Sequence, residues 1–335
     1  MIRFPIPSSA STSRRRWLGA VLAASAATAL PARGQARDPV VRIVVPFAPG
    51  GGNDAFARQM ADGLHRAFGA NVVVENRPGA GGNLGTEAVV RAPADGATCL
   101  LGHTGTVSIN PALYRGLKFD AATDLQPVAM FASSALLLVV PATSPIQDVG
   151  QLAEALRRSG GAMNYASSGA GTGGHLTGEM FAHMLGVKAI HVPYKGTAPS
   201  LTDLVGGQVD FSFGVIPAAL ALVKAGRLRA LAVTSAKRLA QLPAIPTVAE
   251  SRIGALAGFE SSLTYGILVP KGVAAAVVDR FGREVLAVAA SPAFQSKLGI
   301  EGAEPLLGDA AAYALRIRQE SAKWAAVVKA SGATV

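Results

Sequence analysis

The sequence is poor in cysteine, in aromatic side chains and in charge. One cysteine stands among 335 residues, so no internal disulfide can form and a disulfide-stapled scaffold is excluded. Cys99 lies in the apolar run Ala97-Thr98-Cys99-Leu100-Leu101, the setting of a buried, inert thiol rather than a nucleophile. Charged residues are only 16% of the chain and hydrophobic ones 50%, which excludes disorder and supports a large packed core. The formal net charge is +10, but Arg3, Arg14, Arg15, Arg16 and Arg33 crowd the first 36 residues, and without them about +5 remains. That surplus forms no dense basic stripe, so a nucleic-acid binder is not expected, and attraction of acidic small molecules or plain solubility accounts for it.

The first 36 residues read as an export signal. Ser13-Arg14-Arg15-Arg16-Trp17-Leu18 approaches a twin-arginine signature, Leu18 to Leu30 is an apolar, alanine-rich core, and Gly34-Gln35-Ala36 is a small-x-small cleavage site. The apolar core is far short of the roughly 20 residues needed to span a bilayer. The mature protein is expected to begin near Arg37, in the periplasm, by the twin-arginine route or the general secretory one.

Beyond the signal, short apolar runs alternate with helical patterns, which predicts an α/β fold with parallel strands. The strand candidates are 41–46, 71–75, 98–102, 136–140, 163–166, 189–192, 211–213, 230–234 and 265–269. Asp148 is placed to cap a helix over 149–158 that stops at Gly160-Gly161. A last helix starts near Asp309 and carries Tyr313, Ile317, Trp324 and Val328 on one face, which makes Trp324 a packing anchor. Breaks at Pro141 to Pro145 and Leu256 to Gly258 bracket an inserted lobe over 141–257, with 37–140 and 258–335 forming the other. Two crossovers make a hinge.

Two turns carry the functional signal. Met163 to Ala166 runs into Ser167-Ser168-Gly169-Ala170-Gly171-Thr172-Gly173-Gly174-His175 and then a helix; Val41 to Val45 leads into Pro46-Phe47-Ala48-Pro49-Gly50-Gly51-Gly52-Asn53-Asp54 and another helix. Glycines let backbone approach a ligand, and the free N–H groups of a helix start, with the macrodipole, favour an anion. No lysine or arginine lies in either turn, so backbone, hydroxyls and water are the expected donors. The glycines at 50 to 52 can also serve only a tight turn, and Asn53 and Asp54 are expected as N-caps. Tyr194-Lys195-Gly196 either brings a cation to the cleft or makes a solvated turn.

Rival chemistries are weaker. Gly169 to Gly174 fits a dinucleotide fingerprint, but Ala189-Ile190-His191-Val192-Pro193 lacks the acid that should hold the ribose. His175, Glu179 and His183 have the spacing of a helical metal site without an evident supporting acid, and a solvated polar face with an i to i+4 pair is the expected reading. No nucleophile elbow, Walker loop or catalytic carboxylate pair is present, so no turnover, cofactor or metal is expected.

Five segments in order carry a resemblance: Pro46-Phe47-Ala48-Pro49-Gly50-Gly51, Glu75-Asn76-Arg77-Pro78-Gly79-Ala80-Gly81-Gly82, Pro193-Tyr194-Lys195-Gly196, Gly206-Gly207-Gln208-Val209-Asp210 and Leu242-Pro243-Ala244-Ile245-Pro246-Thr247. From about residue 40 onward the chain resembles the substrate-binding proteins of tripartite tricarboxylate transporters, the Bug family. The resemblance implies a two-lobed periplasmic-binding-protein fold with two parallel-rich sheets. It implies a monomeric receptor that closes on a small carboxylate and delivers it to membrane permease subunits; a ligand sensor for a signalling system is the alternative. Its binding positions fall on Phe47, Ala48, Pro49, Gly50 and Gly51, on His103, Thr104 and Gly105, and on Ser167, Ser168, Gly169, Gly171 and Thr172. Asp210 matches a position near the cleft, where it accepts a ligand amine or caps a turn. Asp95-Gly96-Ala97-Thr98 departs from the family's Asp-Gly-Tyr-Thr, and a usual tryptophan is replaced around Leu263-Thr264, so ligand identity does not carry over.

Overall fold

A computed structural model describes residues 40–333; the expected export signal lies outside them. Ten strands form one curled, mixed sheet: β1 Val40–Val45, β2 Asn71–Asn76, β3 Thr98–His103, β4 Leu125–Pro141, β5 Asn164–Ser167, β6 Ile190–Pro193, β7 Phe211–Val215, β8 Leu228–Val233, β9 Ser262–Pro270 and β10 Ala303–Asp309. The order is β2-β1-β3-β9-β4-β7-β5-β6, with β10 and β8 also paired to β4. Parallel pairs (β1 with β2 and β3, β5 with β6 and β7) occupy the two flanks, where helical crossovers connect the strands. The centre is antiparallel, because β4 and β9 return through the middle of the molecule.

The long strand β4 joins the two halves. Up to Ala135 it pairs with β9, and from Leu136 it pairs with β7 and β8. Its first half escaped the strand pattern because Pro127 and the small residues Ala129, Ala132, Ser133, Ser134 and Ala135 occupy it, and register shifts at Pro127/Ala129 and Met130/Ala132 interrupt the alternation. β10 was missed for a similar reason, with a shift between Pro305 and Gly308. The crossovers are tied by Thr234, whose fully buried hydroxyl accepts from Leu136 N–H (2.8 Å) and donates to the Ser261 carbonyl (2.6 Å).

The helices used below are α1 Gly52–Phe68, α2 Asn83–Val90, α3 Val149–Ser159, α4 Gly173–Leu185, α5 Thr197–Val205, α6 Ile216–Lys224, α7 Ala275–Ala290, α8 Pro292–Ile300 and α9 Ala310–Ser331. Asp148 caps α3 by accepting from Gln151 N–H, and Asp309 caps α9 through Ala312 N–H. α9 packs on β4 and α4, with Tyr313, Ile317, Trp324 and Val328 buried along one face. No helix among the described residues is long and apolar enough to cross a membrane.

Candidate functional site

Helices α1 and α4 both start at the same cavity, of about 640 Å³. From the first turn, Phe47, Ala48, Pro49, Gly50 and Gly51 line it, together with Gly52 and Asn53. The α1 start has Gly51 at the cap position and no side-chain cap. Asn53 therefore does not cap the helix as expected; it lines the cavity, its buried Oδ1 without a partner. Asp54 braces the turn from behind, accepting from Gly50 N–H (3.0 Å), Arg58 Nε (2.9 Å) and Asn76 Nδ2 (3.0 Å). Burial raises its proton affinity, yet those three donors together hold the carboxyl below its ordinary value.

The second turn divides between wall and scaffold. Ser168, Ala170, Gly171, Thr172, Gly173 and Gly174 line the cavity. Ser167 and Gly169 stand behind it: the Ser167 hydroxyl is buried, contacts His191 Nε2 at 2.7 Å, and bonds both the carbonyl and the N–H of Gly169. Thr172 donates to the Gly169 carbonyl (2.7 Å), and Gly171 N–H donates to His175 Nδ1 (3.1 Å). Those groups shape the loop, leaving the first N–H groups of α4 and the Ser168 hydroxyl on the cavity side. Gly171 is held at φ +77°, a conformation that favours glycine, and a Cβ there would stand 2.9 Å from Leu113 Cδ2.

His103 and Gly105 line the third side. Burial pulls the His103 pKa down to about 4, so the ring is neutral, and its edge meets Phe47 with centroids 5.3 Å apart. Thr104 points the other way. Its buried hydroxyl donates to Glu320 on α9 (2.6 Å) and accepts from Thr264 N–H (2.7 Å), while Glu320 also accepts from Thr264 Oγ1 and Arg316 Nε (both 2.7 Å). The cavity segment at 103–105 is thus anchored to β9 and α9 through a buried carboxylate.

Asp210 is not brought to the cavity. Its carboxylate accepts from Asn164 N–H (2.7 Å) at the opposite end of β5 from Ser168, and its own N–H donates to Asn164 Oδ1 (3.1 Å), so it clamps two strands. Lys195 is exposed and off the cavity wall, while Gly196 is on it. Of His175, Glu179 and His183, the first two meet (Nε2 to Oε1 3.9 Å) while His183 is exposed, and Glu179 takes the Tyr165 hydroxyl (2.6 Å). His175 stacks on His191 at 3.9 Å, and burial lowers both rings, to about 4 and about 3 respectively.

Sequence reasoning missed Ser134, Ser200, Ser212, Tyr265 and Glu301, all of which line the cavity. They come from strands β4, β7 and β9, from the first turns of α5 and from the end of α8, with no local motif, and only the tertiary fold gathers them. No lysine or arginine is among the lining residues, so the charge available to hold an anion is that of helix ends and neutral donors.

A family model described as the tripartite tricarboxylate transporter family receptor matches residues 56–333. The chain is 32% identical to the protein BugT of Bordetella pertussis over 294 residues, which are 88% of this chain and 89% of that protein. Among solved structures, R. palustris Rpa4515 with adipate is similar at 36% identity and TM-score 0.79, covering 88% of this chain and 98% of that one. The periplasmic binding protein BugD is similar at 35% identity and TM-score 0.75, with the same coverage. These neighbours share the two-lobed α/β binding-protein fold with this chain.

Proposed function

The chain belongs to the tripartite tricarboxylate transporter receptor family, and we propose that it is an exported, periplasmic, non-enzymatic receptor. It captures a small carboxylate between two lobes and hands it to the permease subunits of a tripartite membrane transporter. One observation carries this: two glycine-rich helix starts, α1 and α4, open into a single cavity of about 640 Å³ whose lining contains no cationic side chain. Such a site holds an anion with backbone N–H groups and hydroxyls, and the low-dielectric surroundings strengthen each of those bonds. The similar chain with adipate supports a carboxylate as the anion.

Within this reading Phe47, Ala48, Pro49, Gly50, Gly51, His103, Gly105, Ser168, Gly171 and Thr172 touch the ligand. Thr104, Ser167 and Gly169 hold the segments that do. The lobes, 37–140 with 258–335 and 141–257, move about β4 near Ala135–Leu136, where the strand changes partners, and closure brings the two turns onto the ligand.

Calorimetric titration of the mature protein with a panel of mono- and dicarboxylates tests the proposal, with a nicotinamide dinucleotide and zinc as controls. At least one carboxylate is expected to bind saturably while both controls do not. Binding of the dinucleotide or zinc in place of every carboxylate would overturn it.

A further inference from the structure

Glu301 is the one acidic side chain among the cavity-lining residues, and no lysine or arginine lines the wall to neutralise it. It follows the C-terminal end of α8 and precedes β10, two elements with no binding motif in the sequence. Its Oε2 stands 3.4 Å from where a Cβ on Gly52 would be, so the carboxylate lies beside the first turn of α1. Its charge reaches Tyr265 on the cavity wall, whose phenol is kept protonated by burial and, in addition, by Glu301. None of the ion pairs among the described residues includes it.

The two helix starts are therefore unequal. The α4 end presents the Ser168 hydroxyl and the backbone N–H groups of Gly173 and Gly174 with no acid among the lining residues beside them; the α1 end presents backbone N–H groups and Asn53 with a carboxylate beside them. An anion placed at the α1 end meets a like charge at close range, and no lining cation offsets the repulsion. A hydrogen-bond donor, above all an ammonium, meets an acceptor suited to a charge-assisted bond.

We infer that Glu301 sets ligand specificity: the natural ligand is an amino-carboxylate whose carboxylate sits at the α4 start and whose ammonium faces Glu301. This rests on the cavity being a carboxylate site. Rejection of dicarboxylates follows from the same residue, since a second carboxylate at the α1 end has no cation to meet.

The test compares ω-amino acids with dicarboxylates of matched chain length, up to 6-aminohexanoate against adipate, on the natural chain and on Glu301→Gln by calorimetry. The glutamine variant keeps the shape of the side chain at a half-exposed position, and an unchanged melting temperature of the free protein confirms its fold. On the natural chain the best amino acid is expected to bind at least tenfold tighter than its matched dicarboxylate. In Glu301→Gln the amino acid should weaken and the dicarboxylate tighten, each about tenfold. Dicarboxylates binding tighter than their partners on the natural chain, or a variant that shifts both classes equally, would overturn the inference while leaving the carboxylate site intact. If nothing with a carboxylate binds, the proposed function falls, and this inference with it.

Discussion

Gly171→Ala separates backbone strain from closure. Gly171 has φ +77°, and an added Cβ would lie 2.9 Å from Leu113 Cδ2 and 3.6 Å from Tyr114 Cε2. Leu113 is buried in the main core cluster, so its methyl cannot swing out freely. Gly207 is the control: it has φ +70°, nothing within 4 Å of its added Cβ, and a turn away from the cavity. Placing alanine in the left-handed region costs about 1–2 kcal/mol at either site, or about 2–4 °C in melting temperature for a domain of this size. Only Gly171→Ala also has the overlap, worth about 1–3 kcal/mol in a packed setting. If the free protein opens, it escapes that overlap, and the extra cost appears only when ligand closes the lobes. Both variants should then melt alike without ligand, while Gly171→Ala binds the tightest carboxylate of the panel about tenfold more weakly and Gly207→Ala binds it normally. The assay is calorimetry alongside thermal melting. Unchanged affinity in Gly171→Ala would refute the contact of Gly171 with Leu113 as part of the bound state.

Further outcomes follow from the buried groups. Thr234→Val keeps the side-chain shape but strands the Leu136 N–H and the Ser261 carbonyl, and urea unfolding should show a loss of about 2–4 kcal/mol; a change below 1 kcal/mol would remove Thr234 as the tie between the crossovers. His103, His175 and His191 have folded pKa values lowered to about 4, about 4 and about 3 by burial, with His175 adding to the effect on His191. The unfolded chain takes up these protons first, so their contribution to stability is full above the ordinary value of 6.5 and is lost as pH falls toward 4. The slope is up to about 1.4 kcal/mol per pH unit for each ring. Asp54 and Glu260 add loss only at lower pH, while Glu179, with its raised value, acts in the opposite sense. Urea midpoints between pH 7 and 5 report the three imidazoles against the single opposing Glu179, and a flat profile there would contradict their burial as neutral rings. Cys99, fully buried with its thiol pushed up by desolvation, should resist a thiol reagent until the protein is denatured; rapid native labelling would count against that placement.

The local features were legible because their causes are local. Asp148 and Asp309 announce helix starts because each carboxylate accepts from the N–H three residues on. The runs at Val41 to Val45 and Met163 to Ala166, each followed by glycines, carry the strand, the turn and the helix start within a dozen residues. The two turns were therefore visible, and the structure opens both into one cavity. Asp210 shows the limit: its Gly-Gly-Gln-Val-Asp motif is local, but whether its carboxylate meets a ligand or Asn164 depends on which strand lies beside it.

The sequence by itself determined the alternation of strand and helix, the chemistry of the two glycine-rich turns and the burial of Trp324, since each follows from periodicity or backbone stereochemistry over a short span. Tertiary structure alone decided that β4 runs unbroken through both halves, that Ser167 and Thr104 turn away from the cavity, and that Glu301 stands beside the start of α1. Those outcomes rest on pairings between residues far apart in sequence, as with Thr104 and Glu320 or Gly52 and Glu301. Their energies exist only once the sheet order has brought the partners into contact.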